Sequence, residues 1–117
     1  MWVQKNSVTR APRTSISEYP CVPYFALSYR VVPEYVSRRG EFRAEHLALA
    51  WAAHDRGELL LGGALAEPVD ATLLVWRCAD KTPIEAFVAA DPYVRNGLVA
   101  SWEIRPWSVV IADELRG

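Results

Sequence analysis

Leu59-Leu60-Leu61-Gly62-Gly63-Ala64-Leu65 and Ala71-Thr72-Leu73-Leu74-Val75-Trp76-Arg77-Cys78 are two apolar runs in the middle of the chain, with Glu67-Pro68-Val69-Asp70 between them. Each run is short and bounded by turn residues, so each reads as a strand. The turn-length gap makes the pair a hairpin. The rest of the fold follows by working outward from this hairpin in both directions.

On its C-terminal side stands Thr82-Pro83-Ile84-Glu85, the sharpest local signal in the chain. Thr82 is a candidate N-cap, Pro83 suits the first helical position because it has no N–H to leave unpaired, and Glu85 completes a capping box. Ile84, Phe87 and Val88 give this helix a buried stripe. Pro92 pushes Asp91 away from helical geometry, so the helix stops near Ala90. Asp91-Pro92 then caps a short helical turn that ends at Gly97.

On the N-terminal side, Glu41 to Arg56 reads as a helix. Phe42, His46, Leu49, Ala50 and Ala53 recur on one face, Leu47, Trp51 and His54 widen it, and Gly57 suits a left-handed cap. Farther out, Tyr24 to Val32 is a strand closed by Pro33, and Val36 to Gly40 is a charged connection. Leu98 to Ile111 contains the last strand, where Pro106 marks an edge or a bulge. The order βαββαβ is the ferredoxin-like, split βαβ arrangement: an α+β two-layer sandwich with both helices on one face of an antiparallel sheet.

The uncovered face of such a sheet is ordinarily polar. Here Leu59 to Leu61 and Leu73 to Trp76 are continuous apolar runs, and Trp102, Ile104 and Trp107 add to them. A second apolar face needs a cover. The expected cover is a second copy, packed sheet to sheet as a homodimer with two-fold symmetry; loops and the N-terminal tail are the alternative.

The totals exclude several classes. The chain has 117 residues, enough for one domain with a core of its own. Thirteen basic residues against 14 acidic ones give a net charge of −1, so no strong field draws nucleic acid or an anionic membrane. No apolar run reaches membrane-spanning length. Cys21 and Cys78, without a secretory signal, read as reduced thiols of a cytoplasmic protein. Residues 1–20 are expected to form a flexible tail or a presequence ahead of a domain at 21–117. His46 and His54 stand about two turns apart on one helix, and nothing else has metal-ligand spacing. No phosphate loop, dinucleotide fingerprint or nucleophile elbow is present, so neither metal nor cofactor is expected.

Two segments carry a resemblance. Arg43-Ala44-Glu45-His46-Leu47, followed by His54-Asp55-Arg56-Gly57-Glu58-Leu59-Leu60 and Gly62-Gly63, resembles the first-helix signature of YciI-like (YCII) proteins. Asp91-Pro92-Tyr93 resembles that family's Asp-Pro-Tyr/Phe turn, and Arg105-Pro106-Trp107 its closing strand. The resemblance covers about Tyr24 to Ile111. It implies a fold similar to muconolactone isomerase and a site at His46 and Asp91. It also implies lyase-like or isomerase-like chemistry, since one branch is associated with dehydrochlorination of chlorinated hydroxyaromatics.

The residue chemistry is compatible with that expectation. An imidazole is suited to take and return a proton, which makes His46 the candidate acid–base group; a core histidine satisfied by a backbone carbonyl is the structural alternative. Asp91 can orient such an imidazole while also capping its own turn. Arg43, one turn from His46, is placed to hold an anionic or phenolate oxygen. Tyr93 can close a pocket, and Gly62 and Gly63 allow backbone to approach a ligand. The expected function is acid–base catalysis on a small, partly aromatic molecule. A non-catalytic small-molecule-binding or dimeric structural module is the alternative.

Overall fold

The computed structural model describes residues 22–116. The expectations for residues 1–20 and for Cys21 lie outside them. Residues Tyr24–Trp107 form one compact unit. It contains strands β1 (Tyr24–Val31), β2 (Leu59–Ala64), β3 (Ala71–Arg77) and β4 (Val99–Trp107). Helices α1 (Tyr35–Arg38), α2 (Arg43–Asp55), α3 (Thr82–Ala90) and α4 (Pro92–Arg95) connect them. The last described segment, from Ser108, is separate from that unit and holds one short 3-10 turn, Asp113–Leu115.

The strands form one antiparallel sheet in the order β2-β3-β1-β4. Hairpin β2–β3 sits at one edge, and β4 returns to pair with β1 at the other. This is the split βαβ arrangement. Pro106 lies in edge strand β4, where a missing N–H disturbs only one ladder. Burial alternates along β1 and β3, as it does when one face of a sheet is packed. Phe25, Leu27, Tyr29 and Val31 of β1 join Leu74 and Trp76 of β3 in a core with Ala53 of α2 and Ile84, Phe87 and Val88 of α3.

Two glycines are required by backbone geometry. Gly57 (φ +82°) and Gly97 (φ +78°) end α2 and α4 in the left-handed region that side chains avoid. After α2 the N–H of Glu58 returns to the carbonyl of Ala53 at 3.1 Å, closing the helix before β2 begins.

Several local expectations are corrected. Residues 35–41 are not an irregular connection: α1 is followed directly by a 3-10 turn, Arg39–Glu41. The start of α3 is not a capping box. Thr82 is the first helical residue, and the Asp80 carboxylate accepts its N–H at 2.9 Å, leaving Glu85 no reciprocal role. Asp80 reaches this N–H because the cap lies at Lys81, one residue earlier than expected. Trp51 does not join the core. It is 61% exposed, because the helix leans its Ala53 side, rather than the next position round, against the sheet.

The uncovered sheet face is also less apolar than the linear runs imply. The register pairs Trp102 with Tyr29 and Ile104 with Leu27, which puts both on the face that carries the helices, where Ile104 packs against the core and Trp102 stays 46% exposed at the edge. Ser28, Arg30, Glu103 and Arg105 occupy the opposite face beside Leu61, Leu73, Val75 and Trp107. Neighbouring strands interleave charge between apolar residues that are adjacent only in sequence.

Candidate active site

Asp91 is the centre of the site. It is fully buried and adopts extended geometry (φ −65°, ψ 120°) between α3 and α4, as the following proline dictates. Three donors converge on its carboxylate. Oδ1 accepts the backbone N–H of Tyr93 at 3.0 Å, which caps α4. The same oxygen lies 2.9 Å from His46 Nδ1, and Oδ2 accepts the Tyr29 hydroxyl at 2.7 Å. A carboxylate accepts, so the neutral imidazole carries its proton on Nδ1. Nε2 is then the basic nitrogen, and no group among the described residues bonds it.

The ring of His46 is held as firmly as its nitrogen. It stacks on Tyr93 with centroids 4.0 Å apart and planes 14° from parallel, while Phe87 meets it edge-on at 6.1 Å. One short turn therefore supplies both the carboxylate that fixes the tautomer and the aromatic ring that fixes the plane. That is the physical content of the Asp-Pro-Tyr sequence. The His46 side chain retains 15% of its exposure and lines a cleft of about 530 Å3 between α2 and the β2–β3 hairpin. An opening of that size is ordinary for a small-molecule site.

The cleft takes Tyr35 and Arg39 from the chain leading into α2. From α2 itself come Arg43, His46, Leu47, Ala50, Trp51 and His54; from the hairpin, Leu59 to Ala64, Thr72 and Leu74; Tyr93 completes it. Arg43, Gly63 and Tyr93 are thus brought together with His46, and Asp91 stands behind it. The two glycines differ. A Cβ on Gly62 would meet Leu74 Cγ at 3.0 Å, whereas one on Gly63 would meet nothing within 4 Å and, by its pairing with Leu73, would project from the other face. His54 donates from Nδ1 to the Leu59 carbonyl at 2.8 Å and meets the edge of Trp51, so it ties the end of α2 to β2.

Sequence reasoning missed Tyr29, Tyr35 and Arg39. Tyr29 reads simply as one of the inward positions of β1, and nothing local marks its hydroxyl as the third donor to Asp91. Burial, and then the charge of Asp91, hold the Tyr29 phenol well above its usual value. Its neutral form is therefore favoured in the folded chain. Unfolded tyrosine ionises near pH 10, so above that pH the unfolded chain loses a proton that the folded chain keeps, and stability falls as pH rises. Tyr29→Phe is expected to flatten this alkaline decline in denaturant midpoints measured from pH 8 to 11. At neutral pH the same change is expected to cost about 1.5–3 kcal/mol, because the carboxylate loses a donor. An unchanged alkaline slope would show that Tyr29 is not the group responsible.

Burial likewise pushes the Cys78 thiol up, assisted by Glu58 and Asp80, so this cysteine is an inert thiol whose Sγ donates to the Asp80 carbonyl. Among the described residues, no three His, Cys, Asp or Glu side chains stand close enough to share a metal ion, and no helix is long and apolar enough to cross a membrane.

Comparison with solved structures places this geometry among known folds. The chain is similar to the 5-chloro-2-hydroxyhydroquinone dehydrochlorinase of Burkholderia phenoliruptrix AC1100, solved with 2,5-dihydroxybenzoquinone. The match has a TM-score of 0.63 and 19% identity, covering 73% of this chain and 93% of that one. A candidate antibiotic biosynthesis monooxygenase from Bacteroides thetaiotaomicron matches with a TM-score of 0.52 at 13% identity, over 78% and 91% of the two chains. A Nitrosomonas europaea protein of unknown function matches at 0.50 with 20% identity, over 79% and 94%. At these identities the likeness is one of ferredoxin-like fold. No curated protein matches the chain. The model of the YCII-related domain matches residues 23–108, from the start of β1 to the end of β4, and the chain therefore belongs to the YCII-related domain family.

Proposed function

We propose that the chain is a small acid–base enzyme of lyase or isomerase type, with His46 as its proton-transfer group. The observation that carries this reading is the 2.9 Å contact of His46 Nδ1 with a buried Asp91 carboxylate, which leaves Nε2 as the free basic nitrogen of a ring lining an open cleft. Nε2 would take a proton from a carbon or hydroxyl of the substrate. Asp91 would stabilise the resulting imidazolium, and Arg43 would hold the oxygen on which negative charge develops. The imidazolium would return that proton to another carbon in an isomerisation, or to the leaving group in an elimination. Each residue has a role that needs no further cofactor.

The substrate is proposed as a small molecule with an aromatic or otherwise apolar body. Leu47, Ala50, Leu60 and Leu74 give the cleft an apolar wall, and the solved dehydrochlorinase of like fold holds a dihydroxybenzoquinone. The working unit is proposed as a homodimer packed through the uncovered sheet face, where Leu61 on one edge strand is 65% exposed and Trp107 on the other is also exposed. Binding without turnover is the second reading, favoured by the limited exposure of His46: one accessible nitrogen serves a ligand hydrogen bond as well as a proton transfer.

The test is proton exchange. Candidate hydroxyaromatic acids and chlorinated hydroquinones are incubated with the protein in deuterated buffer, and loss of substrate C–H signals is followed by proton NMR. His46→Gln, which keeps the side chain polar, is expected to lower exchange or turnover by about 10²–10⁴-fold. Turnover that survives His46→Gln would end the acid–base assignment. Tight binding of one of these compounds without exchange would select the second reading.

A further inference from the structure

The charges lining the cleft all have one sign. Arg39 and Arg43 line it, and no aspartate or glutamate does, although the whole chain carries more acidic than basic residues. Two other arginines are matched by carboxylates: Arg56 pairs with Glu58 at 3.0 Å and Arg95 with Glu45 at 2.7 Å. Arg39 and Arg43 have no carboxylate partner among the described residues.

The two guanidinium groups belong to the same wall as the acid–base residue. Arg39 Cζ lies 5.3 Å over the ring of Tyr35; Tyr35 meets Tyr93 edge-on at 5.5 Å, and Tyr93 stacks on His46. Both arginines also reach the Tyr93 phenol electrostatically, drawing it downward against the larger upward effect of burial. Two cationic forks beside an apolar wall, with no internal anion to satisfy them, form half of a recognition site for a carboxylate.

We propose that the cleft selects a small organic acid with an aromatic or apolar body, its carboxylate held by Arg39 and Arg43. Arg39 thereby joins the site as a specificity residue. The proposal rests on the same cleft as the acid–base reading and narrows the substrate class from small aromatic molecules to their carboxylates.

The experiment uses the full chain and a matched pair of probes, 4-hydroxybenzoate and 4-hydroxybenzamide, titrated by NMR chemical shift at neutral pH. These differ in the charge of one group and little in shape. The acid is expected to bind at least about tenfold more tightly than the amide. Arg39→Gln and Arg43→Gln are each expected to weaken the acid by about tenfold while leaving the amide unchanged, and added salt is expected to weaken only the acid. Arg43 is exposed and Arg39 half-buried, and neither holds a carboxylate of the fold, so circular dichroism should show both variants folded. Equal binding of the two probes, indifference of the acid to both substitutions, or no binding of the acid at millimolar concentration would each overturn the proposal. The two readings fail separately. Acid binding that needs the arginines, with no exchange in any substrate tested, keeps this proposal and ends the catalytic one. Turnover of a neutral phenol that needs His46 and Arg43 but not Arg39 does the reverse.

Discussion

Asp91→Ala is expected to destabilise the fold by about 3–5 kcal/mol, since it removes the shared acceptor of a buried hydrogen-bond cluster. The substitution strands the hydroxyl of Tyr29, the Nδ1–H of His46 and the backbone N–H of Tyr93, and it also deletes the cap of α4. A buried donor left without a partner costs about 1–3 kcal/mol. Total stabilities of small domains are only about 5–15 kcal/mol, so this variant is close to the limit of folding. Asp91→Asn separates geometry from charge. Its amide oxygen can accept from Tyr93 and His46, and its NH2 can donate to a Tyr29 hydroxyl that has turned round to accept. We expect Asp91→Asn to retain most of the stability in urea denaturation while depressing any His46-dependent turnover at least about tenfold, because the imidazolium loses its counter-charge. Equal destabilisation by the two variants would mean that the negative charge, rather than the acceptor geometry, holds this corner together.

Trp76→Ala is the second large expectation, a loss of about 3–5 kcal/mol. Trp76 is completely buried in β3, with Phe25 and Leu59 directly across it on the two neighbouring strands and Phe87 of α3 edge-on at 5.3 Å. Its removal opens a cavity where the hairpin, the central strand and a helix meet. Trp76→Phe should be much milder, about 1–2 kcal/mol, for a specific reason. The indole Nε1 has no hydrogen-bond partner in the protein, so the smaller ring gives up packing volume but also removes a buried unsatisfied donor. Denaturant midpoints for the two variants check this directly. If Trp76→Phe proved as damaging as Trp76→Ala, the indole N–H would have to be holding something in place.

The two expectations probe different parts of one arrangement. Trp76 belongs to the layer that fixes the sheet against α3. Asp91 belongs to the corner where α3 ends and α4 begins, and there it joins β1 through Tyr29 to α2 through His46. A loss at either place affects the cleft through the position of the hairpin and of α2.

Much of this was determined by the sequence alone. Hairpin, flanking helices and outer strands follow from local periodicity, and their order admits the split βαβ arrangement with little competition. The Asp91-Pro92 break is equally local, because a proline ring constrains the residue before it wherever it occurs. His46, Arg43 and Tyr93 were legible as candidates through the family's motifs. What local signals could not supply was everything set by register and by contacts distant in sequence. Trp102 and Ile104 read as apolar in either face, and only pairing with β1 puts them on the one that carries the helices. Tyr29 stands 62 residues from the carboxylate it donates to, and Arg39 enters the cleft from the helical turns that form the charged connection. The strong covalent preferences of proline and glycine, and the period of each element, act within a few residues. The choice of partner for a hydroxyl or a guanidinium is made only when the chain has closed, and so the tertiary structure alone decided which groups stand behind His46 and which stand before it.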